Sequence, residues 1–98
     1  VRDFEPDQLA RFYADAIPVP ERVVTDPVRL SDERRLDVPA TEICPEYTAA
    51  DLREWIDGGD LPELARIRDV ELVDLGGGHW PQLTRPKSLA RAILDAAG

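Results

Sequence analysis

The stretch Val70-Glu71-Leu72-Val73-Asp74-Leu75-Gly76-Gly77-Gly78-His79-Trp80-Pro81 decides the fold. Val70, Leu72, Val73 and Leu75 give it the β-branched and aliphatic bulk of a strand covered on both faces. Three glycines then admit backbone conformations that a side chain would forbid, so the strand is expected over about 70–75. His79, the only histidine of the chain, falls on a loop at the carboxyl end of a strand, where open α/β sheets carry their sites. Pro81 and Pro86 stiffen the chain beyond it, and a helix is expected over about 86–97. Leu89, Ala90, Ile93, Leu94 and Ala97 form one stripe on it, set to bury against a sheet. Lys87, Arg91 and Asp95 repeat on the opposite side.

Upstream, Val38-Pro39-Ala40-Thr41-Glu42-Ile43-Cys44 is the second strand candidate, over about 38–44. A proline near its beginning is tolerable, since a first residue need not donate to the ladder. Between the strands, Thr48-Ala49-Ala50-Asp51 caps a helix expected over 49–57. Leu52, Trp55 and Ile56 face inward on it, and Gly58-Gly59 end it. Asp60 reads as the N-cap of a further helix over 61–67, with Glu63 at capping-box spacing and Leu61, Leu64, Ala65 and Ile67 on its apolar face. Together these segments form the crossover that a right-handed parallel connection requires.

Nearer the start, Glu5-Pro6-Asp7-Gln8 opens a helix over about 5–16, with Leu9, Phe12, Tyr13, Ala16 and Ile17 on one face. Residues 18–37 read as a Pro-rich connection, extended in part at Val23-Val24, with a turn of helix around Ser31–Arg34. The fold class is therefore α/β, with two parallel strands and flanking helices. Two parallel strands leave unpaired edges and cannot cover their own faces, so something else is expected to complete the sheet.

With 98 residues the chain is one domain at most, and 43% hydrophobic with 33% charged residues is the balance of a soluble globular protein. A net charge of -8 and a pI near 4.5 argue against nucleic acid and against anionic membrane surfaces as partners. No apolar run has the length of a membrane span, and no signal-peptide pattern opens the chain. A single cysteine makes no internal disulfide, so the cytoplasm is the expected compartment. One histidine and one cysteine fall short of the four ligands of a zinc site, and no metal or cofactor is expected. Gly76-Gly77-Gly78 opens no helix directly, which makes it a poor phosphate-binding loop. The chain begins at Val1 and contains no methionine, as a piece of a longer polypeptide would.

The order strand, glycine loop, His79-Trp80-Pro81-Gln82-Leu83-Thr84-Arg85-Pro86 and closing helix resembles the C-terminal end of α/β-hydrolase enzymes of the esterase-like kind. The resemblance runs over about residues 38–98 and more loosely back to the start. It implies that 38–98 is the C-terminal βαβα part of the hydrolase core, and 1–37 a helix returning from a cap with the Pro-rich connection after it. It implies that His79 is the catalytic histidine of a triad, taking the nucleophile's proton and handing it to the leaving group. Trp80 would wall the substrate pocket beside it, or else brace the loop from a buried position.

In that family the loop after the penultimate strand often carries the catalytic acid, and here it reads Pro45-Glu46-Tyr47-Thr48. The aspartate expected near Thr48 is absent. Glu46 lies about two positions out of register, and an acid after an earlier strand, outside these residues, is the preferred alternative. Cys44 beside His79 has the makings of an activated thiolate, but reads first as a small buried hydrophobe. Neither serine, Ser31 or Ser88, lies in a Gly-x-Ser-x-Gly elbow. The nucleophile and oxyanion hole are therefore expected from an N-terminal part of the same enzyme, and the 98 residues alone are expected to be inactive. The expected activity is hydrolysis of a small ester or related acyl compound. The rivals are a non-catalytic hydrolase-like remnant and a small self-associating α/β interaction domain.

Overall fold

A computed structural model describes residues 2–98. In chain order its elements are α1 (Pro6–Asp15), α2 (Glu21–Thr25), a 3-10 turn (Glu33–Asp37), β1 (Ala40–Cys44), α3 (Ala49–Asp57), α4 (Pro62–Arg66), β2 (Val70–Asp74), α5 (Pro81–Thr84) and α6 (Pro86–Ala97). The two strands pair in parallel, with Ala40 opposite Val70 and Cys44 opposite Asp74. The expected α/β architecture is thus present. Its last ladder bonds run from the N–H groups of Leu75 and Gly76 to the Cys44 carbonyl, at 2.9 and 3.3 Å. Gly76 and Gly77 then turn with φ of +80° and +90°, which carries the chain off the strand end. Both strands therefore release their loops at the same rim.

Local chemistry explains the crossover. Thr48 caps α3: its hydroxyl accepts from the Asp51 N–H at 3.0 Å, while the Asp51 carboxylate accepts from the Thr48 N–H at 3.2 Å. Asp74, at the end of β2, accepts a further first-turn bond from the Ala49 N–H at 2.6 Å. Strand β2 and helix α3 are thereby joined at the rim. At α4 the expected Asp60 cap is not formed. Pro62 occupies the first helical position, where its missing N–H costs nothing, and Leu61 precedes it without a side-chain cap. At α1 the expected start holds, with the Glu5 N–H donating to the Gln8 side chain at 3.0 Å.

Two expectations fail. Val23 and Val24 lie in the short helix α2, not in an extended segment. An Arg22–Asp26 ion pair at 3.1 Å spans that single turn. Helix α6 carries the expected apolar stripe but has no buried residue: Ile93 is 51% and Leu94 72% exposed. A cleft of about 250 Å³ stays open between α6, at Ala92 and Ala96, and the sheet, at Val73 and Thr41. A two-stranded sheet is too narrow to cover such a helix. Among the described residues, the buried apolar side chains are Leu36, Cys44 and Leu52, between the 3-10 turn, the end of β1 and α3, together with Pro81 at the start of α5. Among the described residues, no helix is long and apolar enough to cross a membrane.

Candidate functional site

The two loops at the shared rim bring Glu46 and His79 together. Glu46 Oε2 lies 3.1 Å from His79 Nδ1, across a separation of 33 residues in sequence. A carboxylate only accepts, so in the neutral ring this contact favours the tautomer with its proton on Nδ1 and its lone pair on Nε2. Both side chains are open to solvent, His79 at 64% and Glu46 at 41%. Glu46, the residue that the sequence reading set second to an acid outside the chain, is thus the carboxylate that His79 meets.

Trp80 sits with its ring edge-on to His79 at 5.1 Å and 75°. On its other side it meets Phe12 of α1 at 5.1 Å, and Phe12 meets Phe4 at 5.2 Å. These are the contacts of a brace that ties α1 to the histidine loop. A cleft of about 500 Å³ opens beside it, between α1 and α5, with Phe4, Phe12, Ala16 and Leu83 as its apolar lining and Gln8, Arg11 and Asp15 as its polar one.

Residues 2 and 3 lace the rim, and nothing in the sequence pattern signals them. Arg2 Nη2 donates to the Glu46 carbonyl at 3.3 Å and to the Gly77 carbonyl at 3.1 Å. The Asp3 carboxylate packs on the glycine loop, so that a Cβ at Gly77 would come within 2.8 Å of Asp3 Oδ2 and one at Gly78 would strike Oδ1. Arg85 Nε stands 3.6 Å from the same carboxylate. Both Asp3 oxygens are shut off from solvent, and no donor meets them in full hydrogen-bond geometry. Burial pushes the Asp3 carboxyl up, but the Gly78 N–H, the Thr84 hydroxyl, its own N–H and Arg85 outweigh it and leave it below the usual value.

The remaining candidates fall outside the rim chemistry. Cys44 is fully buried, and burial, reinforced by the charges of Glu42 and Asp74, pushes its thiol up. A thiol so disfavoured as thiolate is a core residue, as its sequence position suggests. Tyr47 is also pushed up, by burial and then by Glu42, whose carboxylate lies 3.4 Å from its hydroxyl. Its ring packs on Trp55 at 5.3 Å, which fixes the Glu46 loop to α3. Ser88 lines the cleft under α6, and Ser31 lies in the exposed connection before the 3-10 turn. Among the described residues, no cluster of three or more histidine, cysteine, aspartate or glutamate side chains is arranged to hold a metal ion.

No family model matches the chain, and no solved structure matches it. Among curated proteins it is similar to the manganese-exporting P-type ATPases of Mycobacterium bovis and Mycobacterium tuberculosis. The identity is 27% over 106 residues, covering 99% of this chain and 14% of each pump. The chain therefore spans about one seventh of the length of these relatives. The α/β-hydrolase assignment does not hold. The likeness over nearly the whole chain is to a different family. Strand, glycine turn and helix in that order are what any βα unit needs, so the order of residues 70–97 is not specific to hydrolases.

Proposed function

We propose that the chain contributes a proton-transfer pair, His79 as general base and Glu46 as its orienting acid, to the hydrolysis of a small ester or related acyl compound. The contact of 3.1 Å between Glu46 Oε2 and His79 Nδ1 supports the proton-transfer pair, and an acyl carbon attacked by a hydroxyl is the kind of centre that such a pair serves. With Nδ1–H held by the carboxylate, Nε2 takes the proton of an attacking hydroxyl as its oxygen adds to the acyl carbon. Glu46 then stabilises the imidazolium, which returns the proton from Nε2 to the departing alkoxide. A water that gives its proton to the same Nε2 then attacks the acyl carbon, and the carboxylic acid leaves as the proton returns to the hydroxyl oxygen. The hydroxyl and the oxyanion donors are assigned to polypeptide outside these residues, because Ser31 and Ser88 both lie away from the rim. That polypeptide is the implied partner, and it would also wall a cleft over the open ring. The 98 residues alone are then inactive, and a single buried thiol suits a cytoplasmic setting.

The test is ester turnover by the longest polypeptide that contains these residues. His79→Ala should lower kcat by roughly 10²- to 10⁴-fold, and Glu46→Ala by less, since the base survives without its orienter. Turnover unchanged by His79→Ala rejects the proposal.

The mycobacterial likeness favours a second reading, in which the chain is a segment outside the membrane of a cation-exporting P-type ATPase and the rim pair carries no acyl chemistry. Titration of the isotope-labelled chain with magnesium-ATP separates the two. Saturable shifts at a defined set of residues support the pump segment, whereas no shift, together with ester turnover that depends on His79, supports the first reading.

A further inference from the structure

We infer that Arg2 is a positioning residue for the His79–Glu46 pair, holding its two loops at the separation the pair requires; this rests on the proton-transfer reading of that pair. The sheet itself stops short of the site. The last backbone bonds between the strands end on the Cys44 carbonyl. Beyond them, among the described residues, no backbone–backbone hydrogen bond joins residues 45–48 to residues 77–80. Glu46 and His79 therefore sit on segments that the ladder leaves free to separate. One of those segments turns through Gly76 and Gly77 at positive φ.

Arg2 closes that gap. A single guanidinium nitrogen donates to the Glu46 carbonyl at 3.3 Å and to the Gly77 carbonyl at 3.1 Å, one contact on each loop. The choice of acceptors matters. A cation bound to the Glu46 carboxylate would compete with the imidazole for it. By taking carbonyls instead, Arg2 fixes the loop and leaves the carboxylate to the ring. The neighbouring residues anchor the same segment: Asp3 lies against Gly77, Gly78 and Arg85, and Phe4 packs on Phe12, which in turn supports Trp80. Residues 2–4 thus strap the rim from outside, and Arg2 is the member of the strap that touches both loops.

The single histidine allows a direct test, because its ring nitrogens give the only imidazole signals. Ring ¹⁵N shifts well above neutral pH report the ratio of Nδ1–H to Nε2–H tautomers. Wild type should favour Nδ1–H, and Glu46→Ala should abolish that preference. Arg2→Met keeps much of the stem but removes both donors. It should lower the ratio by about two- to fivefold, the scale of one exposed charge-assisted contact. Arg2→Lys, which keeps a cationic N–H donor on a shorter side chain, should restore part of it. A ratio unchanged in Arg2→Met while Glu46→Ala shifts it overturns the role of Arg2 and leaves the pair standing. A ratio unchanged even in Glu46→Ala shows that the pair does not persist in solution, and both claims then fall. Arg2 is exposed, so a merely structural loss would appear in the melting curve and leave the tautomer ratio alone.

Discussion

Glu46 meets His79 at 3.1 Å because Cys44 and Asp74 are register partners at the ends of β1 and β2. Glu46 comes after its strand with one intervening proline, whereas His79 comes after its own only beyond Leu75 and three glycines. The glycine turn absorbs that difference in length and folds the longer loop back over the shorter. The rim geometry is thus a consequence of register plus turn chemistry, and both can be perturbed separately.

Alanine substitutions along the glycine turn should rank in a definite order. Gly76 has φ of +80° but open space where a Cβ would go, so Gly76→Ala carries only left-handed strain, about 1–2 kcal/mol. Gly77 has φ of +90° and a Cβ there would also press on Arg85 and Asp3. Gly77→Ala should therefore cost visibly more than Gly76→Ala in urea unfolding, and equal costs would mean that Asp3 does not pack on the loop in solution.

The cap of α3 offers a second, milder perturbation. Thr48→Ala removes a hydroxyl that accepts from the Asp51 N–H at 3.0 Å, and a cap of this kind is worth about 1 kcal/mol. Asp74→Ala frees the Ala49 N–H from its bond of 2.6 Å and should cost a comparable amount. Both groups serve the same first turn, so the double variant should lose less, or more, than the sum of the two singles. Strict additivity in chemical denaturation would show that the two caps act independently.

These elements also mark how far the sequence can be read. The strands, the α3 cap and the proline-led helix starts depend on residues a few positions apart, and each is set by local pattern. Glu46 is discounted as long as an acid is sought near Thr48. In the structure Thr48 caps α3, and Glu46 is the side chain that reaches across to His79. Arg2 and Asp3 are invisible in the sequence, since the partners of Arg2 lie 44 and more residues away and no periodicity encodes such contacts. The stripe on α6 is legible, but its burial depends on a sheet wider than two strands. The family resemblance rests on an order of elements that many folds share.

Titration should expose two groups with opposite signs. The Asp3 carboxyl is lowered in the folded chain, so its contribution to stability is present above the ordinary value of 3.8 and is lost as pH falls through the folded value. The Cys44 thiol is raised, so its contribution is present below the ordinary value of 9.0 and is lost as pH climbs through the folded value. Asp3→Asn should flatten the acid side of the stability profile, and Cys44→Ala the alkaline side. Native Cys44 should also resist alkylation at neutral pH until denaturant is added; rapid labelling of the folded chain would contradict its burial.

The smallness of the core sets the last expectation. Leu52 is 3% exposed and shares the interior with Leu36 and Cys44, whereas Leu94, on the amphipathic α6, is 72% exposed. Leu52→Ala should therefore cost about 2–5 kcal/mol, a large share of the roughly 5–15 kcal/mol that holds a domain together. Leu94→Ala should change stability by no more than about 0.5 kcal/mol, because its side chain is already largely in solvent. Parallel thermal melts of the two variants provide the comparison. A large loss for Leu94→Ala would mean that α6 is covered in solution by something these residues do not supply within a single copy, and analytical ultracentrifugation of the same sample would then show whether that cover is a second copy.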